Sequence, residues 1–397
     1  MQDVVVTVFV LSACAVVYTI AGYPLILALL TRMRRSAPPA PGGSRGSVTV
    51  LLAVHNGEAW IARKIESLLA LDYPSDLVRI LVLDDGSTDD TARLVQARAD
   101  ARIELVSLPR GGKARALNAG IALATSDLLF FTDVRQTLHP QSLRRLVARF
   151  DDQTVGVASG ELVILSADRQ EEVVGLYWRY EKWIRRHQSA LDAMTGATGS
   201  IYAMRRELAR PLPAEMLVDD MYLPLSAWLG GHRIVFEPDA RAFDIGSTPA
   251  EEFRRKVRTL AGNIQIVRAL PGLLTGSARP RFHFVSHKLV RLALPWAVLL
   301  VGLSSLMLPS PARDVMIATQ GVCYALAALD LVIPASSRAK RITAAPRTFV
   351  VLLAAAAWAG PASLLGPGTE WRPSRIGRNR PAPSRADRMA RTIPVVR

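Results

Sequence analysis

The sequence predicts an α/β domain with a mostly parallel sheet covered by helices on both faces, flanked by N- and C-terminal transmembrane helices. Three observations carry this prediction. Between Ser47 and about Gly246, short near-continuous apolar runs alternate with stretches of helical spacing, the pattern of strands buried on both faces. Outside that region, long runs carry no charge. Half of the chain is hydrophobic, yet its net charge is +15 and its pI about 10.5. Apolar membrane segments flanked by basic residues fit those figures better than one soluble globule does.

Residues 1–31 are expected to form the first transmembrane helix, because no charge occurs between Asp3 and Arg32. The basic start and small-residue cleavage site of a signal peptide are missing. Arg32, Arg34 and Arg35 then mark the cytoplasmic side. Residues 32–47 read as a linker rich in proline and glycine. Residues 48–246 form the α/β domain. Its strands are expected at Val48–Val54, Val78–Leu83, Arg102–Val106 and Leu128–Thr132. Helices should follow at Ala59–Ala70, Thr88–Ala99, Lys113–Ala124 and His139–Phe150.

Residues 247–284 are basic and amphipathic, suited either to the membrane surface or to an ordinary solvated helix. Within 285–370, Leu292–Ala312, Val315–Ile333 and Thr348–Thr369 are apolar, giving two or three further membrane helices. Gly360, Pro361, Gly366 and Pro367 interrupt the last run. Asp330 is the one acidic residue in the second, read as a helix-end residue near the interface. Residues 371–397 are a basic tail.

Cys14 and Cys323 both lie in apolar runs, which excludes a disulfide framework and a cysteine zinc site. Nucleic acid is not an expected partner, since aromatics are only 6% and the arginines cluster beside apolar runs. Nearly uncharged membrane segments also make a poor transporter path.

In parallel sheets ligands bind at the carboxyl ends of strands, so chemistry is sought there. Asp84-Asp85-Gly86-Ser87 closes one strand and opens a helix. Its paired carboxylates exceed what a capped turn requires and suit a ribose or base edge; an acidic turn with a cap is the plainer reading. Asp133 ends another apolar strand, suited either to a divalent cation or to capping a helix. Gly111-Gly112-Lys113 opens a helix and brings Lys113 and Arg115 within reach of anions, or is a glycine-rich turn with exposed cations. Asp219-Asp220 begins the apolar stretch Met221–Leu229, suited to general-base chemistry or to stabilising a helix N-terminus. Gly196-Ala197-Thr198-Gly199 can bring backbone close to a substrate.

With these stretches in this order, the chain resembles glycosyltransferase family two, with the GT-A fold. The family's opening motif corresponds to His55-Asn56-Gly57-Glu58, its nucleoside-binding turn to Asp84-Asp85, and its Gly-Lys-x-x-Ala-Leu-Asn segment to Lys113 through Asn118. Asp133 matches the first aspartate of Asp-x-Asp, and Asp220 the catalytic base of Glu-Asp.

The resemblance implies an inverting enzyme at the cell (inner) membrane, with a cytoplasmic catalytic domain. It would use a nucleoside-diphosphate sugar, a UDP-sugar being expected, and a lipid-linked or polysaccharide acceptor. Catalytic residues would be Asp220 and Asp219. Donor contacts would come from His55, Asn56, Glu58, Asp84, Asp85, Lys113, Asn118 and Arg135. Asp133 would hold a divalent metal (Mg or Mn), and Gly196, Thr198 and Gly199 would face the acceptor. Three departures modify this. Arg135 stands where the second aspartate of Asp-x-Asp is usual, removing a metal ligand and offering a phosphate contact instead. Asp219 replaces a glutamate. The Gln-x-x-Arg-Trp motif is missing, its neighbourhood being Arg255-Lys-Val-Arg-Thr, which argues against a cellulose-synthase-like polymerase. A non-catalytic membrane scaffold and a nucleotidyltransferase are the rival functions.

Overall fold

The computed structural model describes residues 2–34, 46–165, 176–246, 248–276, 278–334 and 337–364. Most of the 32–47 linker and all of the basic tail lie outside them. The α/β domain carries one sheet of eight strands in the order β3-β2-β1-β4-β7-β6-β8-β5. The strands are β1 (Val48–Val54), β2 (Val78–Asp85), β3 (Ile103–Leu108), β4 (Leu128–Phe131), β5 (Thr137–Leu138), β6 (Val155–Leu165), β7 (Tyr202–Arg205) and β8 (Arg233–Ile245). β3, β2, β1 and β4 run parallel, with Val54 opposite Asp84, so their carboxyl ends form one rim. β7 turns antiparallel between β4 and β6, while β6 and β8 pair in parallel.

The first four strands fall where apolar runs place them. β1, β2 and β4 are buried on both faces, the edge strand β3 is half-buried, and two layers of core result. Leu51, Leu81, Leu83 and Phe131 face the layer shared with the helices Lys113–Leu123 and Asp219–Leu229. Val50, Leu52, Ile80 and Phe130 face the layer under the helices Ile61–Leu69 and Ser142–Val147. At about 25 cal/mol per Å² of apolar surface removed from water, these layers supply most of the drive to fold.

Among the described residues, three helices are long and apolar enough to cross a membrane: Gln2–Met33, Pro280–Ser305 and Lys340–Ser363. Their outward residues, among them Leu11, Leu25, Leu299 and Trp358, are exposed and apolar, as lipid-facing positions would be. The expected span at Val315–Ile333 is instead a helix Ala312–Leu329 with Arg313 and Asp314 in its first turn, and it does not meet that description. Asp330 is a helix-end residue, as expected, and caps the C-terminus of this helix. It is 1% exposed and caged by Lys340 Nζ at 3.0 Å, Arg347 Nη1 at 2.9 Å and Thr343 Oγ1 at 2.6 Å, which fixes the approach to the last helix. That last helix continues through Pro346 and Pro361 to Leu364.

The amphipathic segment is the helix Pro249–Ala269, opened by a Thr248/Glu251 capping box. It is packed rather than solvated. Val257 meets Ala355 and Ala362 of the last helix, and Gln265 Oε1 accepts the Leu217 N–H at 3.0 Å, just before the Asp219-Asp220 pair.

Candidate active site

The rim of β1, β2 and β4 carries the expected motifs, and hydrogen bonds lock the first two together. Asn56 sits at φ 51°, and its Oδ1 accepts the Thr88 N–H at 2.8 Å. Glu58 Oε2 accepts the Asp90 N–H at 3.2 Å, and His55 Nδ1 meets the Asp85 carbonyl at 2.9 Å. Asp84 and Asp85 are both buried. Asp84 Oδ1 accepts the Ser87 N–H at 3.0 Å, a turn-closing bond. The Asp85 carboxylate takes the N–H groups of Gly111 at 2.6 Å and Gly112 at 2.9 Å, and pairs with Arg110. It holds the loop that delivers Lys113. Gly86 is required by this arrangement: its φ is 64°, and a Cβ there would stand 2.8 Å from the Arg110 nitrogen. Asn118 does not join the site, since both atoms of its amide bond the Leu212 backbone at 2.8 Å.

Lys113, Asp133, Asp219 and Asp220 converge from three elements. Lys113 Nζ lies 2.9 Å from Asp133 Oδ1 and 3.1 Å from Asp219 Oδ1. Burial would lower its pKa, but Asp133 and then Asp219 outweigh that and raise it, so it is a fixed cation. Burial likewise works against the charged form of Asp133, and Lys113 more than compensates, holding the carboxyl below its usual range. Asp220 has no ion-pair partner among the described residues. Burial and then the neighbouring Asp219 push its pKa up to about 6, with Lys113 and Arg258 opposing. Tyr202, stacked on Phe131 at 4.5 Å, sits in the electrostatic range of all three aspartates. Burial first, and these charges after it, keep its phenol neutral.

The Gly196–Ser200 loop meets Asp220 directly, and Pro224 explains how. A proline has no N–H, so the carbonyl four residues earlier, that of Asp220, is released from the helix ladder. It accepts the Ala197 N–H at 2.8 Å instead. Gly196 then packs on Met221, and a Cβ at Gly199 would stand 2.8 Å from Asp220 Oδ2. Thr198 anchors the loop to β6 through Ser159 Oγ at 2.9 Å.

Arg135 does not point at this group. Its Nη2 lies 2.5 Å from Asp244 Oδ2 at the end of β8, where Gln136 Nε2 also donates at 2.7 Å. Asp133 is therefore the one side chain of Asp-x-Asp left to a metal, and it is 39% exposed. Among the described residues, no set of three His, Cys, Asp or Glu gathers to bind an ion. One partly exposed carboxylate, already paired with Lys113 through Oδ1, fits a cation whose remaining ligands are phosphate oxygens and water, the usual habit of Mg²⁺.

Sequence reading missed three residues here. Lys64, 1% exposed, donates to Thr132 Oγ1 at 2.6 Å and the Gln136 carbonyl at 2.9 Å, so it braces both ends of the Asp133 turn. Its signal was present: Ile61, Lys64, Ile65 and Leu68 have the spacing of one buried helix face. Arg258 lies in electrostatic reach of Asp133 and Asp220, and Asp244 anchors Arg135. Neither has a local sequence signal.

As a proton acceptor, a carboxylate with this pKa would set a pH profile. Asp220 accepts a proton only when ionised, so kcat/KM should fall about tenfold per pH unit below about 6 and be flat above it. A profile flat down to pH 4.5 would remove Asp220 from the base role.

The sequence matches the family model Glycosyl transferase family 2 over residues 49–212 and Glycosyl transferase family group 2 over 133–357, the latter more than half of the chain. It is 37% identical to the succinoglycan biosynthesis protein ExoO of Rhizobium meliloti over 122 residues, 30% of this chain and 34% of that protein. It is 24% identical to the probable glycosyltransferase YdaM of Bacillus subtilis over 55% of this chain and 56% of that protein. To a beta-monoglucosyldiacylglycerol synthase of a Nostoc species it is 27% identical over 42% of this chain and 37% of that protein. The chain thus spans about a third to a little over half of the length of these relatives. The structure of a mannosyltransferase from Pyrobaculum calidifontis, in complex with GDP-Man and Mn²⁺, superposes with a TM-score of 0.71 at 22% identity. That match covers 90% of this chain and 99% of the other, and it shows a shared GT-A-like α/β fold. The chain belongs to the family 2 glycosyltransferases.

Proposed function

We propose that the protein is an inverting glycosyltransferase of the cell membrane. It moves a sugar from a nucleoside-diphosphate sugar, with a UDP-sugar expected, to a lipid-linked or polysaccharide acceptor. The observation that carries this reading is the pairing of Asp220, a half-buried carboxylate with no ion-pair partner among the described residues, with Lys113, a cation that faces Asp133 across the same recess. Asp220 takes the proton of an acceptor hydroxyl as its oxygen bonds to the anomeric carbon. The bond from that carbon to the donor's diphosphate breaks, and the nucleoside diphosphate leaves with the electron pair. Lys113 places positive charge beside that leaving group before reaction begins. Asp133 would hold a divalent metal, which when bound supplies further positive charge to the diphosphate. Asp84 closes the turn that receives the nucleoside. His55, Asn56 and Glu58 hold the same rim in shape, and the Gly196–Gly199 loop flanks the acceptor.

The relatives' names support a glycolipid or polysaccharide product. Arg34 supports a cytoplasmic domain. It ends the first membrane helix and pairs with Asp192 of the catalytic domain at 2.6 Å, so the domain lies on the positively charged side.

Membranes carrying the protein should be offered a panel of nucleotide sugars and the product identified by mass spectrometry. One donor should be consumed, with its sugar recovered on a lipid or polysaccharide. Chelator should suppress transfer, and added Mn²⁺ or Mg²⁺ should restore it. No consumption of any donor by folded protein would favour the scaffold. Pyrophosphate release from a nucleoside triphosphate would favour the nucleotidyltransferase.

A further inference from the structure

A second polar cluster lies where the membrane helices meet the catalytic domain. Two apolar helices each open into a π-helical turn, Tyr18–Gly22 and Val285–Leu289, and these turns are joined by a Tyr18–Ser286 hydrogen bond of 2.6 Å. Such turns occur frequently at functional sites. The helix Leu176–Ala190 of the catalytic domain packs alongside and presents Glu181 and Arg185. Arg291 Nη1 lies 2.6 Å from Glu181 Oε1, and His287 Nε2, buried and without a hydrogen-bond partner, lies 3.7 Å from Glu181 Oε2. Arg185 donates to Thr198 Oγ1 at 2.9 Å, and Thr198 adjoins Gly199, the residue in contact with Asp220.

Arg291 and Lys288 both act on the Glu181 carboxylate, and Arg185 lies in electrostatic reach of Lys288. Burial would raise the Glu181 carboxyl, yet Arg291, then His287 and Lys288, hold it well below the usual range, so one negative charge is already present. Lys288 makes no ion pair among the described residues. It lies in electrostatic reach of Glu181 on one side and Asp220 on the other. Three neighbouring cations, half withdrawn from water at the membrane boundary, are costly unless an anion joins them. The lipid-facing helices limit where such an anion comes from: a charged group attached to a lipid reaches this position along the membrane surface.

We propose that Arg185, Lys288 and Arg291 form a site for the phosphate or diphosphate of a membrane lipid, which presents a hydroxyl to Asp220. The inference rests on the glycosyltransferase reading and narrows its acceptor from any membrane glycan to a phosphate-bearing lipid. A neutral lipid such as diacylglycerol would leave the cations unmatched. A phosphodiester of the bilayer and the diphosphate of a polyprenyl-linked sugar share the required chemistry.

The test uses the full chain in neutral phosphatidylcholine nanodiscs and two readouts. Binding of polyprenyl diphosphate is followed by native mass spectrometry. Transfer is followed with a polyprenyl-diphosphate-linked monosaccharide, phosphatidylglycerol or diacylglycerol as acceptor. Lys288→Gln and Arg185→Gln should each weaken polyprenyl diphosphate binding about tenfold, as loss of one charge-assisted contact predicts. Both should raise the acceptor KM while leaving the donor KM unchanged, and Lys288→Arg should restore binding. Transfer to the linked monosaccharide alone assigns the site to a polyprenyl diphosphate; transfer to phosphatidylglycerol assigns it to a bilayer phosphodiester. Equal binding by wild type and both glutamine variants, or equal use of diacylglycerol, overturns the proposal. Phosphate-selective binding that Lys288→Gln removes, with no transfer to any acceptor, upholds the site and sinks the glycosyltransferase reading instead.

Discussion

Asp220→Asn should bind the nucleotide sugar as wild type does and lose transfer by about 10³-fold, the scale of a missing general base. Asparagine keeps the shape of the side chain, so the contact with Gly199 survives, and the Asp220 carbonyl that holds Ala197 is untouched. What is lost is the proton acceptor. The substitution also removes a carboxylate from a recess that already holds Asp219 and Asp133, so the fold should be no less stable. Donor affinity by calorimetry and initial rates on the same preparation check both halves. A variant that transfers at the wild-type rate removes Asp220 from the chemistry. One that no longer binds donor shows that the residue belongs to the donor pocket.

Lys113→Ala should have the second largest effect, and it should appear in three measurements at once. Asp133 and Asp219 lose the ammonium that both touch, and Asp220 loses an opposing charge. Stripping one partner from a largely buried pair costs roughly 3 kcal/mol, allowing for the partial exposure of Asp133. For a domain of this size that is a fall in Tm of about 10 °C. The transition-state charge on the leaving diphosphate goes unmatched, lowering the rate by at least about 100-fold. The acid limb of the pH profile should move to higher pH, because an Asp220 carboxyl with less positive charge nearby is easier to protonate. Lys113→Arg should recover the stability but little of the rate, since a planar guanidinium cannot occupy the same point between two carboxylates. An alanine variant with an unmoved Tm and pH profile would show that Lys113 does not govern the recess.

Much of this site was legible because it is local. Asp84 and Asp133 each stand at the end of an apolar run, and parallel strands bring such ends to one rim whatever the rest of the fold does, while Lys113 and Asp220 each open a helix. The second half of the sheet was not legible. β7 has four residues, β6 is interrupted by Ser159-Gly160-Glu161, and β8 carries Arg233, Glu237, Asp239, Arg241 and Asp244 among its apolar positions. None reads as a buried strand by itself; their pairing in the sheet decides them. The same holds for roles. The bond from Arg135 to Asp244 crosses 109 positions, and no spacing rule links the two. Asp85 and Asn118 fell inside recognisable motifs, yet their polar atoms are taken by Gly111, Gly112 and Leu212. A motif fixes where a side chain stands more securely than what it will bond.

Pro224 has a consequence for anyone who wishes to make this protein more robust. A proline six positions into a helix is an obvious target: alanine there is worth up to about 3 kcal/mol of helix propensity. The new N–H, however, would compete with Ala197 for the Asp220 carbonyl. The repaired helix would hold itself better and its neighbouring loop less firmly. Thermostability and turnover are therefore set against each other at one atom, and a screen that selects on heat alone would be drawn to the change that loosens the active site.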